Sequence, residues 1–525
     1  MRNTPVARIE TFINNQGNEQ TRIVESLETV ERFHNRHQSS FTDFQIGIKD
    51  LNWADRLVFS TGFSRRSDEM QHGARVESRP AGEVELSSSI FFQSLKYEKE
   101  VTKKFKLSYF GTYIAGSEDV RDSTKNLYTW TGHIETNETR ANGAEILSNP
   151  SLRDGNTFAT AHRLYSEYEI SKNHKVAISN FYAYQRIKGE DPTARLVPLD
   201  NPTVDPNTLP STLSRNVLAG EYTGKWWSKR IETVSFGKYY TFSNRSFDFS
   251  QTGTFFSDEP ITRSDDLFDF GAGLKASIDE NRFFRFAYEQ TVRIPTRREV
   301  FGDFTTIAPN FGILPERSEN VNIGLFYKHY FKNDRFFSLQ VDWFFRDLRD
   351  LIRLEVPASP NLPASFINQS EVRSQGLEVV INTLPTKNLG INYSFTYQDI
   401  VNSESPDTNN TNNSGESIPN IPSSFYNLGA TYKVKSPFNK EDQISFFGYY
   451  NYVQEFSLIF QGSVRNNRNF IPTQNQLDAG LSYQLSDSGF TFSFQCNNVL
   501  DADVFDNYRI PRPNRYYNLK IRFQL

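Results

Sequence analysis

The last nine residues of the chain alternate strictly between apolar and polar side chains. The apolar face consists of Tyr517, Leu519, Ile521, Phe523 and Leu525, and the polar face consists of Asn518, Lys520, Arg522 and Gln524. Alternation with a period of two predicts a β-strand that separates an apolar environment from water. Because the strand runs to the chain end without a polar tail, we expect its apolar face to contact lipid and its polar face to line the aqueous lumen of a barrel.

The composition agrees with a chain built of strands. Only 37% of the residues are hydrophobic, the mean hydropathy is −0.59, and no segment reaches the roughly 18–20 apolar residues of a membrane-spanning helix. A transmembrane barrel needs lipid-facing residues only at every second position, so a low mean hydropathy is compatible with one. The aromatic content of 14% favours β-structure.

Charge and cysteine content exclude several other classes of protein. The net charge of −4 argues against a nucleic-acid-binding surface. The single cysteine, Cys496, excludes an intramolecular disulfide and a metal site built from several cysteines. The N-terminal segment lacks the apolar core of a signal peptide, so the chain is either cytoplasmic or a fragment that begins late.

The same alternation recurs from residue 40 to the end of the chain and indicates nineteen strands. A turn of a few residues, such as SKNH at 171–174, is followed each time by a link of about 13 to 43 residues. An antiparallel barrel with tight turns at one rim and long loops at the other produces this rhythm. The sequence contains no internal repeat, so it does not indicate a soluble repeat protein. The prediction is an all-β, antiparallel transmembrane β-barrel over residues 40–525, with short periplasmic turns and long extracellular loops.

The N-terminal part predicts that the start of the barrel is missing. Residues 1–39 are polar and have no clean period, so we interpret them as the remnant of an extracellular loop. Counting back from the closing strand makes the first visible strand descend towards the periplasm, which requires at least one strand before it. Bacterial single-chain barrels have even strand numbers, and nineteen is odd.

Four parts of the chain resemble the C-terminal barrel domain of the TonB-dependent receptors, in the form found in Bacteroidetes. They are ERFHNRHQSS with DLNWADRLVFSTGFSRRSDEMQHGARV, YEQTVRIPTRREVFGD with APNFGILPERSENVNIGLFY, NQSEVRSQGLEVVIN, and the C-terminal FSFQCNNVLDADVFDNYRIPRPNRYYNLKIRFQL. None of them is a catalytic signature, but their order extends over most of the chain. Barrels of this family have 22 strands, so the resemblance implies that nineteen of 22 are visible.

The resemblance implies a protein of the cell outer membrane that is not an enzyme and that actively imports a large scarce solute, such as a ferric siderophore. It implies two partners, the outer-membrane lipid and TonB, which family members contact through a plug domain. We find no plug domain in this sequence, and its last residue is Leu525 rather than the Phe or Trp usual in the family. A passive porin without a plug is therefore the alternative. The scattered histidines disfavour a third class, an outer-membrane enzyme or adhesin.

Three arginines are the candidate ligand groups. Arg293 faces the lumen by parity, and Arg297 and Arg298 begin the loop that follows. Guanidinium groups bind carboxylate-, catecholate- or phosphate-bearing anions, such as an iron chelate, through paired hydrogen bonds. The alternative is that these arginines pair with acidic residues of the plug or of neighbouring strands.

The remaining candidates are aromatic loop residues and one pair of histidines. Trp130, Phe301, Phe304 and Phe311 either stack on a ligand or pack one loop against another, and the sequence leaves both roles open. His34 and His37 have a spacing that two metal ligands can have, but a metal site needs more groups than this pair supplies. We therefore expect neither a metal site nor a cofactor.

Overall fold

The computed structural model describes most of the chain. The described residues are 3–13, 19–73, 80–136, 139–140, 143–147, 149–194, 196–198, 203–247, 260–303, 305–356, 363–404, 413–438, 441–457, 460, 470–485, 489–507 and 510–524. Among them, no helix is long and apolar enough to span a membrane.

Nineteen strands of eight or more residues form an antiparallel β-barrel in which each strand pairs with its neighbours in the chain. The strands are β1 (His37–Leu51), β2 (Ala54–Glu69), β3 (Glu85–Thr102), β4 (Phe105–Arg121), β5 (Asp154–Ser171), β6 (His174–Glu190), β7 (Ser211–Trp226), β8 (Ile231–Ser246), β9 (Ile261–Asp279), β10 (Arg282–Arg293), β11 (Glu316–Tyr330), β12 (Phe336–Glu355), β13 (Ala364–Leu384), β14 (Leu389–Asn402), β15 (Ser424–Lys435), β16 (Gln443–Val453), β17 (Gln474–Leu485), β18 (Phe490–Asn497) and β19 (Tyr516–Phe523). The predicted all-β fold is confirmed.

The connections alternate as the sequence predicts. Turns of two to seven residues join β1 to β2, β3 to β4 and every following pair of this kind, and links of eight to 32 residues join the pairs. The link between β12 and β13 is the shortest of the long set because both strands continue beyond the apolar parts at 337–345 and 377–381. These strands have 20 and 21 residues, whereas about 9–11 residues cross a membrane, so this hairpin extends beyond the bilayer.

The lipid-facing surface carries the apolar side chains of the alternating pattern. Leu218 of β7, Phe268 of β9 and Leu325 of β11 point outward and are exposed. In the closing strand, Leu519 lies opposite Phe494 of β18 on the same outward face. The outer face is therefore apolar, as expected of a barrel in lipid.

One cluster of aromatic rings lies near the extracellular end of this surface. Tyr426 of β15 lies with its ring centroid 4.7 Å from that of Tyr452 and 5.9 Å from that of Tyr450, both on β16. Tyr393 of β14 lies 6.1 Å away on the other side. Rows of tyrosines of this kind mark the membrane–water boundary of transmembrane barrels.

The N-terminal segment contains a β-hairpin. Strands Asn3–Ile13 and Glu19–Glu31 pair with each other, and the first barrel strand begins at His37, slightly before the boundary at residue 40. A two-stranded ribbon needs only backbone pairing to form a ladder. Because residues 1–39 have no clean apolar period, the sequence did not predict this hairpin.

Several short elements complete the described structure. They are helix α1 (Arg297–Phe301), the 3₁₀ turn Pro206–Thr208, strand Ile307–Ala308, which pairs with the start of β13, and the small ladders Val197–Pro198 with Thr203–Val204, Phe456–Ser457 with Phe470–Ile471, and Phe505–Asn507 with Ile510–Pro511.

Candidate ligand site inside the barrel

The segment between β10 and β11 folds into the barrel. In this luminal loop (residues 294–315), Val300, Phe301 and Ile313 expose only 0%, 4% and 0% of their surface. They form a cluster with the inward residues Ile187, Leu213, Tyr240, Phe242, Leu267 and Ile352 of the wall. Removing these apolar side chains from water favours the inward position. The luminal loop therefore packs against the inner wall of the barrel.

Ion pairs hold both ends of the luminal loop. Arg293 Nη1 lies 2.9 Å from Glu299 Oε1, and Arg293 Nε lies 3.1 Å from Glu316 Oε2. Glu299 also accepts the backbone N–H of Thr296 at 2.7 Å, at the start of α1. Arg293 thus joins the loop to the beginning of β11, which is the ion-pair role that the sequence left open.

Asp303 stabilises the turn that follows α1. Its carboxylate accepts the backbone N–H groups of Thr305, Thr306 and Ile307 at 3.1, 2.8 and 2.8 Å. Burial by itself raises the pKa of Asp303, but these donors outweigh it and keep the pKa below the usual 3.8. Arg298 adds a contact of 3.3 Å from Nη2 to this carboxylate. The turn is therefore organised around one ionised acid.

Arg297 connects the luminal loop to a distant strand. Its Nη2 lies 2.9 Å from Glu118 Oε2 at the extracellular end of β4. Arg153, only 4% exposed, lies beside this pair. Burial lowers the pKa of Arg153, the charge of Glu118 opposes this, and the charge of Arg297 adds to it. Arg153 Nη1 donates to the backbone carbonyl oxygen of Glu118 at 3.4 Å, so both guanidinium groups contact this residue.

A cleft of about 280 Å³ lies between α1 and the inner wall. Its lining consists of Ala183, Gln185, Leu213, Arg215, Thr296, Arg297 and Arg298. Arg215 makes no ion pair with any described residue, and its Cζ lies 5.7 Å from the ring centroid of Phe181. Because Arg297 and Arg298 each have one acidic partner, the guanidinium of Arg215 leaves the cleft positively charged.

Sequence reasoning missed Arg215. Arg215 lies two residues after Leu213 on β7 and therefore points inward as well. This inward direction was the only indication in the sequence that Arg215 belongs to the site. The luminal loop brings it next to Arg297, 82 positions later in the chain. Inward parity alone does not single out one polar lumen residue from the others, so the fold of the loop is what reveals this site.

Carboxylates also tie the extracellular loops to one another. Asp122 accepts the backbone N–H groups of residues 145–147 at 2.6–2.9 Å, and Glu145 accepts those of residues 82 and 83 at 2.8 Å. Asp191 accepts the N–H of Leu152 at 3.1 Å. Glu145 and Asp191 thus connect three successive links, and Asp122 acts within the middle one.

The family follows from the sequence match. The model of the TonB-dependent receptor-like β-barrel matches residues 32–499. The chain belongs to this family. The predicted recognition is confirmed, and with it the location in the outer membrane and the expectation that this receptor is not an enzyme.

Solved structures of TonB-dependent receptors have the same fold. The chain aligns with the copper transporter OprC at a TM-score of 0.69 and 14% identity, over 94% of this chain and 73% of that one. It aligns with BauA, the ferric preacinetobactin receptor from Acinetobacter baumannii, at 0.64 and 12%, over 92% and 72%. For the FrpB iron transporter from Neisseria meningitidis the values are 0.65 and 13%, over 100% and 76%. None of the curated protein sequences matches the chain.

The aromatic candidates of this TonB-dependent receptor that the structure describes lie apart from the cleft lining. Phe301 is buried in the apolar cluster, with its ring centroid 6.2 Å from that of Phe311. Trp130 is half-buried in the link between β4 and β5, and Phe304 lies outside the described residues. His34 Nε2 lies 2.8 Å from the carbonyl oxygen of Val84. No group of three or more potential metal ligands occurs among the described residues.

Proposed function

We propose that this TonB-dependent receptor actively imports a large anionic solute, a ferric siderophore or another iron complex. The positively charged luminal cleft carries the proposal. Relatives of the same fold include a ferric preacinetobactin receptor, a siderophore receptor and an iron transporter. Their low identity gives the fold alone, so the choice of an anionic complex rests on the arginines.

Within the cleft, we assign direct ligand contact to three guanidinium groups. Arg215 supplies the group without an acidic partner, and Arg297 and Arg298 flank it on the luminal loop. A planar guanidinium matches the paired oxygens of a carboxylate or catecholate. Arg293 and Phe301 position the loop, and Trp130 would meet a ligand only at the rim.

The lumen wall also favours a receptor over a passive porin. Phe41, Ile90 and Phe110 point inward and expose 62%, 40% and 44% of their surface, and the ring of Phe92 stacks on Phe41 at 6.1 Å. In an open water-filled pore these side chains would contact water at a cost. A lumen filled by a plug domain would cover them, and through that plug the receptor would contact TonB.

We place residues 1–39 on the extracellular side of the barrel domain, residues 40–525. The backbone N–H of Arg36 donates to Glu69 Oε2 at 2.8 Å, at the extracellular end of β2. His37 lies opposite Asp68 in the β1–β2 ladder. The segment therefore enters the barrel from the loop side.

Uptake measurements in cells with and without functional TonB test this function. Iron-starved cells carrying the full-length receptor are supplied with radiolabelled ferric complexes of the hydroxamate, catecholate and carboxylate classes. We expect uptake of at least one complex, and its loss without TonB. Equal uptake in both strains would support the porin instead, and failure of every complex to bind would refute an iron chelate as the ligand.

A single substitution tests the cleft. Hydrogen bonds to charged groups contribute about 1.5–3 kcal/mol, so Arg215→Gln should raise the Kd of the transported complex about ten- to 100-fold. The matched control is Arg56→Gln, which removes an inward positive charge near the periplasmic end of β2 and should leave the Kd unchanged. Equal effects of both variants would show that only the overall charge of the lumen matters.

A further inference from the structure

The barrel wall is split on its outer surface between β9 and β10. The ladder between these strands ends at the pair Phe270–Gln290, although both strands continue towards the extracellular side. Beyond that pair, Oδ2 of Asp269 accepts the backbone N–H of Val292 at 3.3 Å, where a regular ladder would offer a carbonyl. The strands separate because the chain after β10 turns into the lumen. An outward groove of about 290 Å³ remains at the split.

Five charged side chains surround this groove: Asp266, Arg317, Glu319, Asp347 and Arg349. The register of β11 and β12 places Arg317 directly opposite Arg349 and Glu319 directly opposite Asp347. Within the described residues, none of the five forms an ion pair or a side-chain hydrogen bond. Like charges directly opposite on neighbouring strands destabilise a sheet. The groove therefore fits a ligand that brings charges of both signs.

The groove lies at the boundary between the lipid-facing band and water. On the lipid side, the row next to the Gln290–Glu319 pair contains Tyr288 of β10 and Phe345 of β12. The ring of Tyr288 lies 6.2 Å from that of Phe270, and the ring of Phe345 lies 6.4 Å from that of Trp343. Aromatic rows mark the interface of transmembrane barrels, so the charged groups face lipid headgroups.

We propose that this groove binds a membrane lipid whose headgroup carries both a phosphate and a primary ammonium group, the phosphoethanolamine type. Arg317 and Arg349 hold the phosphate between them, which relieves their mutual repulsion. Glu319 and Asp347 accept hydrogen bonds from the ammonium group. Phe268, 61% exposed at the edge of the groove, contacts the first part of the acyl chains.

The charge pattern selects this headgroup over simpler ones. A purely anionic headgroup would place its phosphate next to carboxylates that nothing neutralises. An amine without a phosphate would leave the two arginines facing each other. The phosphoethanolamine unit also occurs as a soluble headgroup without acyl chains, so the membrane source needs its own measurement.

Lipid titrations of the full chain in detergent test the proposal, read out by native mass spectrometry. Phosphatidylethanolamine should bind in a one-to-one complex, and phosphatidylglycerol should bind at least about tenfold more weakly. Arg317→Gln with Arg349→Gln should weaken phosphatidylethanolamine binding about tenfold or more. Glu319→Gln with Asp347→Asn should instead narrow the preference for phosphatidylethanolamine over phosphatidylglycerol.

A double variant of equal charge change serves as the control. Arg186→Gln with Lys188→Gln removes two exposed positive charges from the outward face of β6 and should leave binding unchanged. The proposal is overturned if the control variant weakens binding as much as Arg317→Gln with Arg349→Gln does. It is also overturned if phosphatidylglycerol binds as tightly as phosphatidylethanolamine. Binding of soluble glycerophosphoethanolamine without any binding of the lipid would overturn the membrane source.

Discussion

Replacing Glu299 with glutamine should release the luminal loop from the barrel wall. The carboxylate of Glu299 accepts Arg293 Nη1 at 2.9 and 3.2 Å and the backbone N–H of Thr296 at 2.7 Å. Glutamine keeps one acceptor oxygen for the backbone but loses the negative charge that holds Arg293. The loop would then depend on its apolar cluster, on the Arg297–Glu118 pair and on Asp303.

The size of the effect follows from these contacts. A hydrogen bond to a charged group contributes about 1.5–3 kcal/mol, and we take about 2 kcal/mol because Arg293 is 41% exposed and keeps Glu316. Local opening should therefore become about 30-fold more frequent. The reporters are the backbone N–H groups of Val300, Gly302 and Asn310, which donate to carbonyl oxygens at 3.1, 3.0 and 2.9 Å.

Hydrogen–deuterium exchange of the purified receptor measures this opening directly. The control is Glu355→Gln, because Glu355 is 51% exposed and lies 3.4 Å from Arg353, and a pair of this kind contributes at most about 1 kcal/mol. We expect the control to leave exchange in the luminal loop unchanged. A rise below about threefold for Glu299→Gln would refute the role assigned to this carboxylate.

Three further substitutions probe the membrane face, the loop turn and the apolar cluster. Leu519→Lys should cost about 2–4 kcal/mol near the bilayer centre, whereas the inward Asn518→Lys should cost little, as measured by equilibrium refolding into vesicles. Because folding lowers the pKa of Asp303, its ionised carboxylate stabilises the loop at pH values above 3.8, the usual pKa of an aspartate. This stabilisation is lost as the pH falls through the lower pKa of the folded state. Pepsin should therefore cut the wild-type loop progressively faster below about pH 4, while Asp303→Asn should already be sensitive above that range. Phe301→Ala should destabilise the luminal loop by about 3–5 kcal/mol, measured by amide exchange; unchanged exchange would contradict the burial of this ring.

The strands could be predicted wherever one face meets lipid and the other meets water. The closing strand shows the condition clearly, because Leu519 and Lys520 belong to different environments. In the upper halves of β12 and β13 neither face meets the lipid tails, and outward residues such as Asp347 and Arg349 remove the contrast. The sequence pattern therefore ends where the membrane ends, and the strands continue beyond it.

The candidate site was less predictable because it depends on how one loop folds. Parity indicated that Arg293 faces the lumen, but its partners Glu299 and Glu316 become neighbours only when the luminal loop turns inward. Arg215 is one of many inward polar residues until α1 comes to lie beside it. Phe301 packs into the apolar cluster only once the luminal loop has folded inward.

Asp122, Glu145 and Asp303 hold segments of the extracellular loops through hydrogen bonds from peptide groups. Asp122 and Asp303 each accept three N–H groups within their own loops, and Glu145 accepts two from the preceding long link. A peptide group is the same whatever residue carries it, proline excepted. Side chains on the outer surface of these loops can therefore change while these few acids preserve the frame, so the loop surface can diversify without rebuilding the architecture.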